Sequence, residues 1–218
     1  MKIRKLLVII LFYSLLIGCF NKQKGQKTVN GDASELRDSS YIFDGKTLTG
    51  WEITNFGPQG PVFISDDQVV LGMGDGCTGL TWTKEFPTVD YEVTLEAKRV
   101  DGNDFFCGMT FPAGKDPCTL IVGGWGGTVV GLSSINGVDA SENETSTLRQ
   151  FEKERWYRIR LRVTGDTIQA WIDDEIVVDF AIGSNLLSIR PEVELSRPFG
   201  IASWRTTAAI RNIKVVNI

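Results

Sequence analysis

The 218-residue chain contains no histidine. That absence excludes Ser–His and Cys–His nucleophilic pairs and every histidine-ligated metal centre. Cysteine is scarce, at positions 19, 77, 107 and 118 only, and the spacing does not make a four-cysteine zinc site. An excess of basic charge is missing too: 23 Lys and Arg stand against 27 Asp and Glu. A nucleic-acid partner is therefore excluded, because phosphate binding needs a basic surface. No segment keeps an i, i+3, i+4 apolar pattern through three turns, so no long amphipathic helix is expected. "ASENETSTLRQFEKERW" (140–156) is the one place for a short helix, and it reads better as a long loop.

What is present is strand after short strand. "YEVTLEAKRV" puts Tyr91, Val93, Leu95 and Ala97 on one face and Glu92, Thr94, Glu96 and Lys98 on the other. "WYRIRLRV" repeats this, with Tyr157, Ile159, Leu161 and Val163 against Arg158, Arg160 and Arg162. Such alternation buries one face and wets the other, as in antiparallel sheets. The arginine row is then a solvated face. "VTGDTIQAWIDDEIVVDF" forms two successive hairpins, turning at Gly165-Asp166 and Asp173-Asp174. Ten or more such strands predict an all-β, two-sheet antiparallel jelly-roll sandwich. Within "CTLIVGGWGGTVVGL" (118–132), the glycines have neither the spacing nor the following helix of a phosphate loop. They mark a hairpin. With Gly108 and Gly131 they are expected either to tighten it or to hollow a binding dent walled by Trp125.

The N-terminus has its own character. "MKIRKLLVIILFYSLLIGC" carries basic residues, a short apolar run and a small residue before Cys19, as an export signal does. "LIGC" resembles the lipobox of bacterial lipoproteins, which implies residues 1–18 as signal peptide and lipidation at Cys19. Residues 19–40 read as a flexible tether and 41–218 as the folded domain. Lys2, Arg4 and Lys5 are three of the 23 basic residues and no acidic residue precedes Cys19, so the charge without the signal falls from −4 to −7. The expectation is a lipid-anchored protein of the bacterial cell envelope that meets the membrane only through that lipid. Cys77, Cys107 and Cys118 then leave room for one disulfide at most, or for buried thiols. The oligomeric state is not encoded in any pattern read here.

"YIFDGKTLTGWE" (41–52), "DFFCGMTF", "RWYRIRLRVTGDTIQAWIDDEIVVDF" and "PFGIASWRTTAAIRNIKV" follow one another in the order of the 3-keto-disaccharide hydrolase family. The resemblance covers residues 41–218 and implies a concanavalin A-like fold with a carbohydrate ligand. It also implies cleavage of glycosides oxidised at C3, by C2-proton abstraction and elimination from C1. That chemistry needs a base and a group to stabilise an enolate, not the paired carboxylates of ordinary glycosidases. Many relatives carry a histidine near the closing strand pair. Here that position reads "IASWRTT".

A carboxylate must therefore do the proton transfer, or the domain binds sugar without cleaving it, or it serves an envelope structure. Asp104 shares strand parity with Phe106, Gly108 and Thr110, opposite an apolar Phe105, Cys107, Met109 and Phe111. Glu192 and Glu194 alternate with Val193 and Leu195, with Arg190 and Arg197 nearby as electrophilic helpers. Glu144 is a further candidate base. With Glu142 and Asp139 it also suggests Ca²⁺, the one cofactor considered. Trp125 and Trp204 are candidate stacking platforms, and Arg205 a donor to vicinal hydroxyls. Trp51, Trp82, Trp156 and Trp171 are expected in the core.

Overall fold

The computed structural model describes residues 41–218. The expected signal sequence, Cys19 and tether lie outside the described residues. In chain order the strands are β1 (Trp51–Ile53), β2 (Val62–Ser65), β3 (Gln68–Leu71), β4 (Cys77–Trp82), β5 (Tyr91–Gly102), β6 (Cys107–Ala113) and β7 (Asp116–Gly124). They continue with β8 (Val129–Ser133), β9 (Thr147–Leu148), β10 (Tyr157–Val163), β11 (Thr167–Ile172), β12 (Glu175–Ala181), β13 (Gly200–Trp204) and β14 (Thr206–Asn217). A 3₁₀ turn spans Pro191–Ser196. Two seven-stranded antiparallel sheets result. The front sheet has the order β1-β4-β13-β6-β7-β8-β9 and the back sheet β12-β11-β10-β5-β14-β3-β2.

Period-two patterning explains the sandwich. Tyr91, Val93, Leu95 and Ala97 of β5 and Tyr157, Ile159, Leu161 and Val163 of β10 point inward from the back sheet. Cys107, Met109, Phe111, Cys118, Leu120, Val122, Val130 and Leu132 meet them from the front sheet. Within this layer the fully buried Tyr91 hydroxyl donates to the Pro112 carbonyl at 2.6 Å. Both anticipated hairpins form, linking β10 to β11 and β11 to β12. Cys77, Cys107 and Cys118 are buried free thiols. Trp51 and Trp82 belong to the core. Trp156 and Trp171 do not: they lie half-buried on the outer back face, beneath arginines.

The stretch 140–156 is a loop with the two-residue strand β9, as read from the sequence. Two local readings change. "PEVELS" is the 3₁₀ turn rather than extended chain, with Pro191 at its first position, where a missing N–H costs nothing. Glu192 and Glu194 therefore diverge instead of sharing a face. Finally, β6 begins only at Cys107, so the alternation does not run back through the preceding turn. Phe106 is fully buried in the core, while Phe105 packs on the outer face of the front sheet.

Candidate functional site

The outward face of the front sheet holds a cavity of about 260 Å³. Its floor comes from outward-facing strand positions: Cys77 of β4, Thr119 and Ile121 of β7, and Ser133 of β8. Its walls are Asp104 and Phe105, Trp125, Trp204, and Arg190, Glu192 and Val193 of the segment entering the 3₁₀ turn.

Glycines let two of these walls, and the loop at Thr145, come down onto the sheet. A Cβ on Gly108 would sit 2.9 Å from the Phe105 ring. One on Gly200 would sit 2.7 Å from the Ser196 carbonyl of the 3₁₀ turn, and one on Gly131 would sit 3.1 Å from Thr145 of the loop after β8. Side-chain-free positions do shape this face, as expected, but as seats for overlying loops rather than as an open floor.

A buried cation holds the β7–β8 hairpin to the Asp104 turn. Arg99, 5% exposed, donates from one terminal nitrogen to the carbonyls of Asp104 (3.2 Å), Gly123 (3.2 Å) and Gly127 (3.0 Å). Its guanidinium also lies 5.1 Å from the centroid of the Phe106 ring. Gly123 is glycine for this reason: its φ is +79°, and a Cβ would lie 2.6 Å from that nitrogen. Burial lowers the pKa of Arg99, with the Asp104 charge opposing the shift. The signal was in the alternation: Arg99 continues the inward parity of Tyr91 through Ala97.

Asp104 faces the cavity with its carboxylate set by backbone. One oxygen accepts the Phe105 N–H at 2.7 Å, and the other faces the Gly126 N–H at 3.5 Å. Across the cavity, Arg190 grips Glu192 with two nitrogens, at 2.9 and 3.3 Å, and pairs with Asp139 through a third. Asp139 also accepts from the Ser133 and Ser134 hydroxyls at 3.1 and 3.0 Å. Reciprocal backbone bonds between Ser134 and Ser188, at 2.6 and 3.1 Å, bring Arg190 alongside. The Arg190 hydrogen bonds hold the Glu192 carboxyl below its usual value, outweighing its partial burial. The Cys77 thiol is pushed up to about 12 by burial, and secondarily by Glu192, so it stays protonated at neutral pH.

Asp104, Glu192, Trp125 and Trp204 thus line one cavity, with Arg190 the one cation among its lining residues. The other candidates stand elsewhere. Glu194 and Arg197 pair with each other at 2.7 Å on the outer side of the 3₁₀ turn. Glu144 lies exposed on its loop. Asp139 is engaged by Arg190, and no cluster of three or more metal-binding side chains occurs among the described residues. Arg205 sits at the crossover from front to back sheet, paired with Asp75 at 2.7 Å. Arg190 was noted from sequence beside Glu192; Phe105, Thr119 and Cys77 were not singled out as candidate site residues. Thr119 and Cys77 lie opposite core-facing neighbours on their strands, a parity visible only once the core side is known.

Structural comparison finds the same architecture in carbohydrate-binding module CBM66 from Bacillus subtilis (17% identity; 76% of this chain and 94% of that one; TM-score 0.50). A putative glycosyl hydrolase from Parabacteroides distasonis shares it (13% identity; 81% and 92%; TM-score 0.53). So does the Crh5 transglycosylase solved with NAG (14% identity; 78% and 79%; TM-score 0.53). At these identities the likeness is one of fold. No curated protein sequence matches the chain. The model of the 3-keto-alpha-glucoside-1,2-lyase-like domain matches residues 38–216, nearly the whole described sandwich, and the chain belongs to that family.

Proposed function

We propose that the front-sheet cavity binds a neutral sugar ring and, in a 3-keto-glycoside, removes the C2 proton so that the group on C1 leaves. The observation that supports this reading is the convergence of a backbone-held carboxylate, a charge-paired arginine and three aromatic rings in one small cavity. Its volume is close to the lower end of the roughly 300–1,000 Å³ usual for ligand sites, which suits a single ring. Trp125 and Trp204 supply faces for stacking. Asp104 and Glu192 outnumber Arg190 on the lining, and Arg190 is already engaged by Glu192 and Asp139, so anionic sugars are disfavoured.

The ketone at C3 acidifies the C2–H bond. Asp104 takes that proton, and the C–H electron pair becomes the C1=C2 double bond. The C1–O pair departs with the leaving oxygen, which acquires a proton from water. An enone remains, and hydrolysis would add water back across C1=C2. Arg190 supplies positive potential for charge developing on the C3 oxygen. Glu192 is committed to Arg190, and that pairing lowers its proton affinity below that of an ordinary glutamate.

Purified protein incubated with 3-keto-glycosides and their unoxidised parents tests this. Release from the keto forms alone, falling about 10²-fold or more in Asp104→Asn, is the expected result. A second reading, sugar binding without cleavage, draws on Asp104's engagement by backbone N–H groups and the missing histidine. Saturable binding with no release would select it. We further propose lipid attachment at Cys19 and a place in the bacterial cell envelope, supported by "LIGC" and the preceding apolar run. Incorporation of labelled palmitate, lost in Cys19→Ala, is the corresponding test.

A further inference from the structure

One end of the front-sheet cavity has a polar floor, and the partners of its hydroxyls fix where their protons go. Thr119 of β7 and Ser133 of β8 stand directly opposite each other in the strand ladder, and both line the cavity. Each is only 1% exposed, so bulk water does not rescue either group once a ring fills the space. Thr119 shares a hydrogen bond of 3.0 Å with Thr110, its partner on β6. The pair holds two hydroxyl protons, and the bond between them uses one. Thr110 is fully buried, and its hydroxyl has no other partner among the described residues. Donation from Thr119 would strand the Thr110 proton in the interior. Thr110 therefore donates, and the Thr119 proton is left for the cavity.

Ser133 is set the other way. It donates to the Asp139 carboxylate at 3.1 Å, and Asp139 is held in turn by the Ser134 hydroxyl at 3.0 Å and by Arg190. With its proton committed to a carboxylate, Ser133 offers the cavity lone pairs only. The floor thus presents a donor beside an acceptor. Opposite residues of an antiparallel pair have Cβ atoms about 4.5–5.5 Å apart. Two hydrogen bonds of about 2.8 Å meeting at one tetrahedral oxygen span about 4.6 Å. A single ligand hydroxyl fits between the two, accepting from Thr119 and donating to Ser133. An ether or a ketone only accepts and leaves Ser133 unmatched, and an ammonium group only donates and leaves Thr119 unmatched.

We infer that Thr119 and Ser133 are specificity-determining residues that together require one free hydroxyl on the bound ring. The inference rests on the reading of this cavity as a sugar site. A ketone does not satisfy the pair, so the group read is not on the oxidised C3. Asp104 reaches the cavity from the other side of Ile121: a Cβ on Gly124 would lie 3.9 Å from its carboxylate and 2.7 Å from the Ile121 side chain. Ile121 and Thr119 are two residues apart on one face of β7, about 7 Å. A hexopyranose whose C2 is held at Asp104 therefore turns its opposite edge toward Thr119 and Ser133. That edge carries the hydroxyls of C4 and C6, and one of these two is the hydroxyl read.

The test measures, by calorimetry, binding of methyl 3-keto-α-glucoside and of its 4-deoxy, 4-fluoro, 6-deoxy and 6-fluoro analogues. The full chain carries Asp104→Asn to prevent turnover, alone or with Thr119→Ser, Thr119→Val or Ser133→Ala. The expected result is that removing the hydroxyl at one of the two positions costs at least tenfold in affinity, and at the other less than threefold. Fluorine at the sensitive position accepts but does not donate, so it should bind nearly as poorly as hydrogen there. Ser133→Ala should bring the hydroxyl and fluoro compounds within twofold of each other. Thr119→Val should cut the advantage of hydroxyl over hydrogen at least threefold, and Thr119→Ser should keep it. Thr119→Ser and Ser133→Ala only remove atoms, and they decide the outcome on their own if Thr119→Val does not fold. Equal tolerance at both positions, or a preference unchanged in Ser133→Ala, overturns the hydroxyl reader and leaves the cavity standing as a sugar site. Binding of neither the keto sugar nor its unoxidised parent removes the sugar-site reading together with this one.

Discussion

The two outer faces of the sandwich are built from similar residue types and put to different uses. On the back sheet both tryptophans are covered: Arg160 lies 3.8 Å from the Trp171 ring centroid and Arg211 lies 4.0 Å from that of Trp156. The cations there meet carboxylates, Arg162 with Glu92 at 2.9 Å and Lys98 with Glu154 at 2.6 Å. On the front sheet Trp125 is 41% exposed, and the charges surround a cavity instead of forming a ladder. A tryptophan on a strand face is therefore not in itself a sugar platform. What distinguishes the faces is whether neighbouring side chains satisfy each other or leave space for a ligand.

The strongest way to break this difference is to remove the cation behind the front rim. Arg99→Met leaves three buried carbonyls without their donor, and an expected loss of about 3–4 kcal/mol should appear as a lower urea midpoint. Sugar binding should fall with it. Next in size, Gly108→Ala forces the Phe105 ring off its seat and should cost at least tenfold in affinity for the ring-sized ligand, with the fold retained. Trp125→Ala should weaken sugar binding about tenfold by calorimetry. Trp171→Ala on the back sheet should leave it unchanged, and equal losses from the two variants would erase the distinction.

Smaller effects sharpen the contrast. The folded-state pKa of Glu192 is depressed, so its pairing with Arg190 contributes fully above the ordinary glutamate range and is lost as pH falls through the lowered value. Binding should hold through mildly acidic pH and decline only below it, and Glu192→Gln should lack that decline. Smallest of all, Arg162→Ala in the back ladder should shift stability by about 1 kcal/mol or less, because the arginine is half-exposed and Glu92 keeps Arg160 at 3.5 Å.

The back sheet was nearly transparent in the sequence. Strict alternation in β5 and β10 specifies which side chains enter the core, and the arginine row reads correctly as solvated. The front face was less so, because its site is assembled from chain reversals rather than periods. Asp104 was nominated on a strand parity that the turn does not keep, Trp125 on its glycine cluster and Trp204 on its place in the closing strand pair that resembles the family's. Their meeting with Arg190 depends on the chain just after β8, at Ser134, pairing with Ser188, a contact between residues far apart in the chain. The misreading of "PEVELS" has a plain cause: apolar residues two apart fit a strand, and a single turn of 3₁₀ chain between prolines leaves no longer pattern to contradict it. Arg99 was missed because an arginine at an inward position contradicts the expectation for charge until its carbonyl partners are known.

The glycine seats have a consequence for how such a domain can diversify. Two walls of the cavity, the Phe105 edge and the 3₁₀ turn, rest on positions from which a methyl group has been withheld, like panels fitted without a shim. Restoring the methyl at Gly108 or at Gly200 would raise a different one of them. The aperture can thus be retuned one edge at a time, without replacing any residue that lines it.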